Sequence, residues 1–158
     1  MKSKLIISIL AVVVIGVAGF MIASATPSSN SSSEDAVAII VHKSPYCGCC
    51  GAYSSYMDGL GYEVETQDTQ DMASIKDRFG IPYELESCHT TEVAGYVTEG
   101  HIPEVAIQKL LTEQPDIKGI GMPGMPSGAP GMPGPKNGEF VIYEITNDGQ
   151  KGDVFMRI

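Results

Sequence analysis

AVAIIVHKSPYCGCCGAYSSYMDGLGYEVET, residues 36–66, runs from an apolar segment through a cysteine-dense turn into a helix-compatible stretch. Ala36 to Val41 is short, continuous and rich in β-branched residues, the pattern of a strand buried on both faces. Ser44-Pro45 breaks that run. From Cys49 to Leu60 the residues Tyr53, Tyr56, Met57 and Leu60 recur at threes and fours, which predicts a helix ended by Gly59 and Gly61. Tyr62 to Thr66 alternates as a second strand. The reading β-α-β puts Cys47-Gly48-Cys49-Cys50 where the first strand hands over to the first helix.

Beyond this unit, Asp68 or Thr69 can cap a second helix that runs to Arg78 with Ile75 and Phe79 inward, and Gly80 stops it. Leu85–Thr91 and Gly95–Thr98 read as a tight hairpin. Pro103 opens a third helix, Glu104–Thr112, whose inward face is expected to be Val105, Ile107, Leu110 and Leu111. Residues 119–135, GIGMPGMPSGAPGMPGP, carry the triplet Gly-Met-Pro three times and predict a loop with no helix or central strand. Phe140–Ile145 and Val154–Ile158 flank Asn147-Asp148-Gly149 as a closing hairpin. The expected fold is α/β, thioredoxin-like, with an appended Gly/Pro/Met-rich loop and a C-terminal hairpin.

The chain has 158 residues, enough for one domain with its own core once its ends are set aside. Residues 1–25 read as a signal peptide or N-terminal membrane anchor: Lys2 and Lys4 precede an apolar run from Leu5 to Ile22, and Ala23-Ser24-Ala25 fits a signal-peptidase site. Residues 26–35 form a Ser-rich linker containing the sequon Asn30-Ser31-Ser32, and residues 36–158 are the expected domain. Either fate of the leader puts that domain outside the cytoplasm, periplasmic, secreted or anchored, with the membrane touched only through the N-terminal segment. Without the leader, 8 basic residues face 19 acidic ones and the formal charge moves from −9 to −11, which argues against a nucleic-acid partner. No P-loop, Rossmann glycine pattern, nucleophile elbow or H-E-x-x-H is present, so nucleotide and conventional hydrolase chemistry have no foothold.

Three of the four cysteines lie within residues 47–50, and the fourth, Cys88, precedes His89. A bond within so short a turn closes too small a loop to brace a fold, so the cluster reads as a site. A helix N-terminus stabilises thiolates and serves either disulfide exchange or metal ligation. Exchange needs only Cys47 to attack and Cys50 to resolve, leaving Cys49 surplus, whereas a third thiolate is useful for holding soft ions. Adjacent helical Cys49 and Cys50 diverge by about 100°, which disfavours one tetrahedral site with Cys47 and suits a small polynuclear cluster. The candidate metal ligands are Cys47, Cys49, Cys50, Cys88, His89, His101, Met122, Met125 and Met132; His101 can alternatively help cap the third helix, and His42 is assigned a local role. Copper(I) is the expected ion, since thioethers and thiolates are soft donors, with zinc the lesser candidate. The rival reading is an extracytoplasmic thiol-disulfide oxidoreductase using Cys47 and Cys50.

The chain resembles a family of small exported proteins built on a domain of unknown function and typified by CopG. The residues that carry the resemblance are Lys43-Ser44-Pro45-Tyr46-Cys47-Gly48-Cys49-Cys50-Gly51, Gly80-Ile81-Pro82, Ser87-Cys88-His89-Thr90, Gly95-Tyr96-Val97, Glu99-Gly100-His101-Ile102-Pro103 and the Gly-Met-Pro repeats. The resemblance spans residues 37–158 and implies a thioredoxin-like fold that binds copper through the Cys47, Cys49, Cys50 and Cys88 sulfurs. It further implies a role in copper tolerance or copper redox handling, with copper ions and other copper-handling proteins as partners. Tyr53 departs from the family pattern, which has tryptophan there, and this puts the packing over the site in question.

Overall fold

The computed structural model describes residues 36–158. The expected leader, linker and sequon lie outside the described residues.

The apolar run forms β1 (Ala38–Lys43), with Ile39 and Val41 buried, and the cysteine turn leads into α1 (Gly48–Gly59). Cys47 is the N-cap residue, in extended conformation and without a side-chain cap bond. Cys50, Tyr53 and Met57, at spacings of three and four, form the buried stripe of α1. β2 (Glu63–Asp68) pairs parallel to β1 and lies at the sheet edge, where its exposed Glu63 and Glu65 discourage pairing with another chain. α2 (Met72–Phe79) is capped by the Asp71 carboxylate, which accepts from the Ser74 N–H at 3.0 Å, and ends on Gly80 in the left-handed region. β3 (His89–Val93), β4 (Tyr96–Glu99), α3 (Glu104–Glu113), β5 (Gly119–Gly121), β6 (Val141–Ile145) and β7 (Lys151–Arg157) complete the chain.

The strands form one mixed sheet of seven in the order β2-β1-β3-β4-β5-β6-β7. β1 and β3 pair antiparallel, β4 and β5 parallel, and the remaining neighbours beyond β3 antiparallel. The main apolar cluster joins Ile39 and Val41 of β1, Tyr53 and Met57 of α1, Ala106, Ile107 and Leu110 of α3, and Ile120 and Ile142 of the later strands.

Five local expectations change. Residues 119–135 are not all loop, because Gly119–Gly121 is an inner strand between β4 and β6. The first proline of this stretch, Pro123, lies past the strand, and a Cβ on Gly119 would collide with the Val97 carbonyl. Glycine is what permits this approach. The C-terminal hairpin is therefore no appendage; through β5 it continues the sheet. The strand expected from Leu85 begins only at His89, since Tyr83–Leu85 is a 3₁₀ turn following Pro82. On α3 the buried residues are Ala106, Ile107 and Leu110, whereas Val105 is 45% exposed, one helical step off the apolar stripe. On α2, Ile75 and Phe79 are half-buried and Lys76 is the buried residue, for a reason that appears at the site.

Candidate metal centre

Four segments converge at the N-terminus of α1. The turn after β1 delivers Cys47, Cys49 and Cys50; the entry into β3 delivers Cys88 and His89; the link from β4 to α3 delivers His101; the Gly/Pro-rich loop covers them. The Cys47, Cys49, Cys50 and Cys88 sulfurs all lie within 4.8 Å of one another. The divergence expected of Cys49 and Cys50 does not keep Cys47 away, because Cys47 sits at the extended N-cap position and turns its sulfur back to within 3.5 Å of Cys49 Sγ. Cys47 and Cys50 are joined as a disulfide, while Cys49 and Cys88 are free thiols.

A second group shares two of these sulfurs: Cys50, Cys88, His89 and His101 also place their ligand atoms within 4.8 Å of one another. His101 is buried, with Nδ1 2.7 Å from the Pro130 carbonyl oxygen and Nε2 3.0 Å from Cys88 Sγ. A carbonyl only accepts, so Nδ1 carries the proton and donates it, leaving the Nε2 lone pair aimed at Cys88. A backbone carbonyl orienting an imidazole in this way is the outer-shell arrangement usual for metal-binding histidines. His101 does not cap α3, whose N-cap is Pro103.

His89 is fully buried, with its ring centroid 4.8 Å from that of His101 and 4.5 Å from that of Tyr53. Its Nε2 is buried without a hydrogen-bond partner, an arrangement that is unfavourable unless something binds there. Tyr53 is fully buried, donates its hydroxyl to the Ile102 carbonyl at 3.1 Å, and backs both imidazoles. In this chain the tyrosine thus closes the floor of the site.

Burial, then the neighbouring His101 and Lys76, lowers the His89 pKa to about 3. Burial likewise lowers that of His101, against the Pro130 carbonyl contact, which raises it. Burial first and the Cys49 thiol second push Cys88 up to about 11. The histidines are therefore neutral, with lone pairs free for a metal, and Cys88 keeps its proton until an ion displaces it. A histidine whose folded pKa is depressed contributes stability above its unfolded value and loses it as pH falls toward the folded one. The metal-free protein is thus expected to lose stability as pH falls from about 6.5 toward 3, at about 1.4 kcal/mol per pH unit for His89, with His101 acting in the same direction. Urea unfolding across this range checks the slope, which His89→Phe should reduce by one proton.

Behind Cys88 and His89 lies a buried ion pair that the sequence reading did not single out. Glu99, with a fully buried side chain, accepts from Lys76 Nζ and from the Ser87 backbone N–H at 2.6 Å through one oxygen, and from the Thr90 hydroxyl at 2.6 Å through the other. One carboxylate thereby holds the residues on either side of the Cys88-His89 pair. Burial pushes the Glu99 pKa up, against the downward pull of Lys76, Thr90 and Ser87.

The methionines are placed differently from one another. Met122 is buried in the main apolar cluster, Met132 is half-buried against it, and Met125 is 56% exposed. What the loop brings to the metal-ligand residues is the Pro130 carbonyl. Its close seat over α1 requires Gly131, at φ +77°, where a Cβ would come within 2.6 Å of the Tyr53 nitrogen and 2.7 Å of the Cys49 carbonyl oxygen. His42 stays local, with Nε2 2.7 Å from Glu92.

A sequence profile described as "Protein of unknown function, DUF411" matches residues 85–132. Two solved structures of copper resistance protein copG, Form 2 and Form 1, are similar at TM-scores of 0.72 and 0.71, each with 36% identity. They cover 78% of this chain and 99% and 98% of their own. No curated protein sequence matches the chain.

Proposed function

The chain belongs to the DUF411 family and is CopG-like in fold, and from that premise we propose that it is an exported copper-binding protein that holds copper(I) as a multinuclear thiolate cluster. The observation that carries the reading is the convergence of four sulfurs within 4.8 Å beside His89, whose Nδ1 lies 3.9 Å from Cys88 Sγ. Copper(I) is soft, favours thiolates that bridge, and tolerates the low coordination such a group offers. Cys47, Cys49, Cys50 and Cys88 would supply the sulfurs, and His89 and His101 the nitrogen donors at one side. Binding requires the Cys47–Cys50 bond to be reduced by an external dithiol, which is itself oxidised to a disulfide as two thiols form here, and each thiol that ligates then releases its proton. The role served is copper resistance or copper redox handling outside the cytoplasm. A C-x-x-C pair at the start of α1, after a β-strand, supports a thioredoxin-like scaffold.

One observation favours a second reading. The Cys47–Cys50 disulfide at a helix N-terminus is the oxidised form an extracytoplasmic thiol-disulfide oxidoreductase would use.

Metal analysis of the anaerobically reduced chain after copper(I) addition separates the two, with Cys49→Ser as the comparison. More than one tightly held copper per chain, lost in part by C49S, is expected for the cluster. No copper uptake, with disulfide reductase activity unchanged in C49S, would overturn it in favour of exchange.

A further inference from the structure

We propose that the groove lined by Tyr83, Glu84, Glu86, Ser87, Cys88, Gly124 and Met125 is the path by which copper(I) reaches the buried donors, with Met125 as a transient thioether ligand. The inference rests on the copper reading above and adds a site that takes no part in the final coordination.

The groove encloses about 580 Å³ and has Cys88 in its wall, so it connects solvent to one of the two cysteines that belong to both donor groups; the other, Cys50, is fully buried. Its two walls come from the 3₁₀ turn before β3 and from the Gly/Pro-rich loop, and they are tied where the Ser87 hydroxyl donates to the Gly124 carbonyl at 2.6 Å. That bond fixes the position of the backbone next to Met125.

The lining is graded in chemistry. Glu84 and Glu86 are exposed at the outside, and among the described residues neither carboxylate enters an ion pair. Unpaired carboxylates at a mouth raise the local concentration of a cation without holding a soft one tightly. Met125 and Tyr83 are 56% and 85% exposed, although apolar side chains of this size are more stable when covered. A thioether needs no deprotonation to ligate, so Met125 can take copper(I) at any pH and pass it on to a thiol. Cys88 follows, with the His101 Nε2 only 3.0 Å beyond it. In the transfer, the copper–thioether bond breaks, a copper–thiolate bond to Cys88 forms, and the displaced thiol proton leaves to water through the open groove; copper stays monovalent throughout.

The test is stopped-flow loading of the reduced full chain with tetrakis(acetonitrile)copper(I) under anaerobic conditions, followed by thiolate-to-copper charge-transfer absorption and by final metal content. E84Q/E86Q is expected to slow loading about tenfold at low ionic strength, with the gap closing in high salt. M125L should slow it severalfold at both salts. Both variants should reach the parent's final copper content. Parent rates in both variants, with copper content retained, would overturn the path and leave the copper reading intact. A lower final content in M125L would overturn the transient role by making Met125 a resident ligand. A parent chain that takes up no copper removes the reading on which the proposal rests, and the proposal with it.

Discussion

Replacing Cys88 with serine is expected to strip the protein of its tightly held copper while leaving its fold in place. Cys88 Sγ is common to the four-sulfur group and to the mixed sulfur–nitrogen group, so its loss removes a donor from both at once. A serine hydroxyl is a hard donor that keeps its proton at neutral pH and does not replace a thiolate toward copper(I). Removing a group that only supports a metal ligand costs about 10–100-fold in metal affinity, and loss of a ligand itself should exceed that. The fold has less at stake: Cys88 is half-buried and exchanges one atom, so unfolding of the reduced, metal-free variant should stay within about 1 kcal/mol of the parent. The pH dependence adds a second signature. Because the Cys88 pKa is pushed up to about 11, copper must displace its proton, and parent affinity should climb up to tenfold per pH unit for that proton. C88S should lose that proton's share of the slope. Competition against a copper(I) chelator across pH measures both quantities, and a variant with parent affinity and stoichiometry would remove Cys88 from the site.

The parts of the centre that can be read from the chain are those whose chemistry is local. Cys47, Cys49 and Cys50 announce themselves by proximity, and their position at a strand-to-helix junction follows from the run Ala36–Val41 and the spacing of the tyrosines behind them. Cys88 and His89 stand out because cysteine is scarce. His101 is a candidate from its place just before the third helix, but its Nδ1 bond to the Pro130 carbonyl depends on the path of a loop anchored 29 residues away, and no local pattern encodes that path. The methionines illustrate the converse, since composition identifies soft donors without saying which way each side chain packs, and Met122 goes into the apolar cluster. β5 escaped the reading because two of its three residues are glycines, which in sequence look like loop residues, although Gly119 is there for its close approach to Val97 of β4. Lys76 and Glu99 lie 23 residues apart on different elements, and each alone reads as an ordinary surface charge.

That hidden pair should yield the largest stability change in the molecule. With side-chain exposures of 7% for Lys76 and 0% for Glu99, neither charge has water to fall back on once its partner is gone. Breaking a buried pair from one end costs about 3–5 kcal/mol, because the surviving charge stays buried, so K76M and E99Q should each lower the unfolding free energy by that amount. The double variant K76M/E99Q leaves no buried charge and should return to within about 1–2 kcal/mol of the parent, which urea titration of the three proteins will measure. Copper affinity should not recover with it. Glu99 uses one oxygen for the Ser87 N–H and the other for the Thr90 hydroxyl, whereas glutamine offers one carbonyl oxygen and turns an NH₂ donor toward the second. The Thr90 hydroxyl can meet that NH₂ only by turning round to accept from it, so both clamps flanking Cys88-His89 persist in the double variant as weaker, uncharged hydrogen bonds while its stability is restored. A copper(I) affinity about tenfold below the parent is expected, the low end of what losing outer-shell support costs at other metal sites. If affinity recovered together with stability, the carboxylate would be holding the fold alone. If stability recovered and affinity did not, Glu99 would be positioning the ligands from both sides through two charge-assisted hydrogen bonds, to the Ser87 N–H and the Thr90 hydroxyl, that a neutral amide makes only weakly.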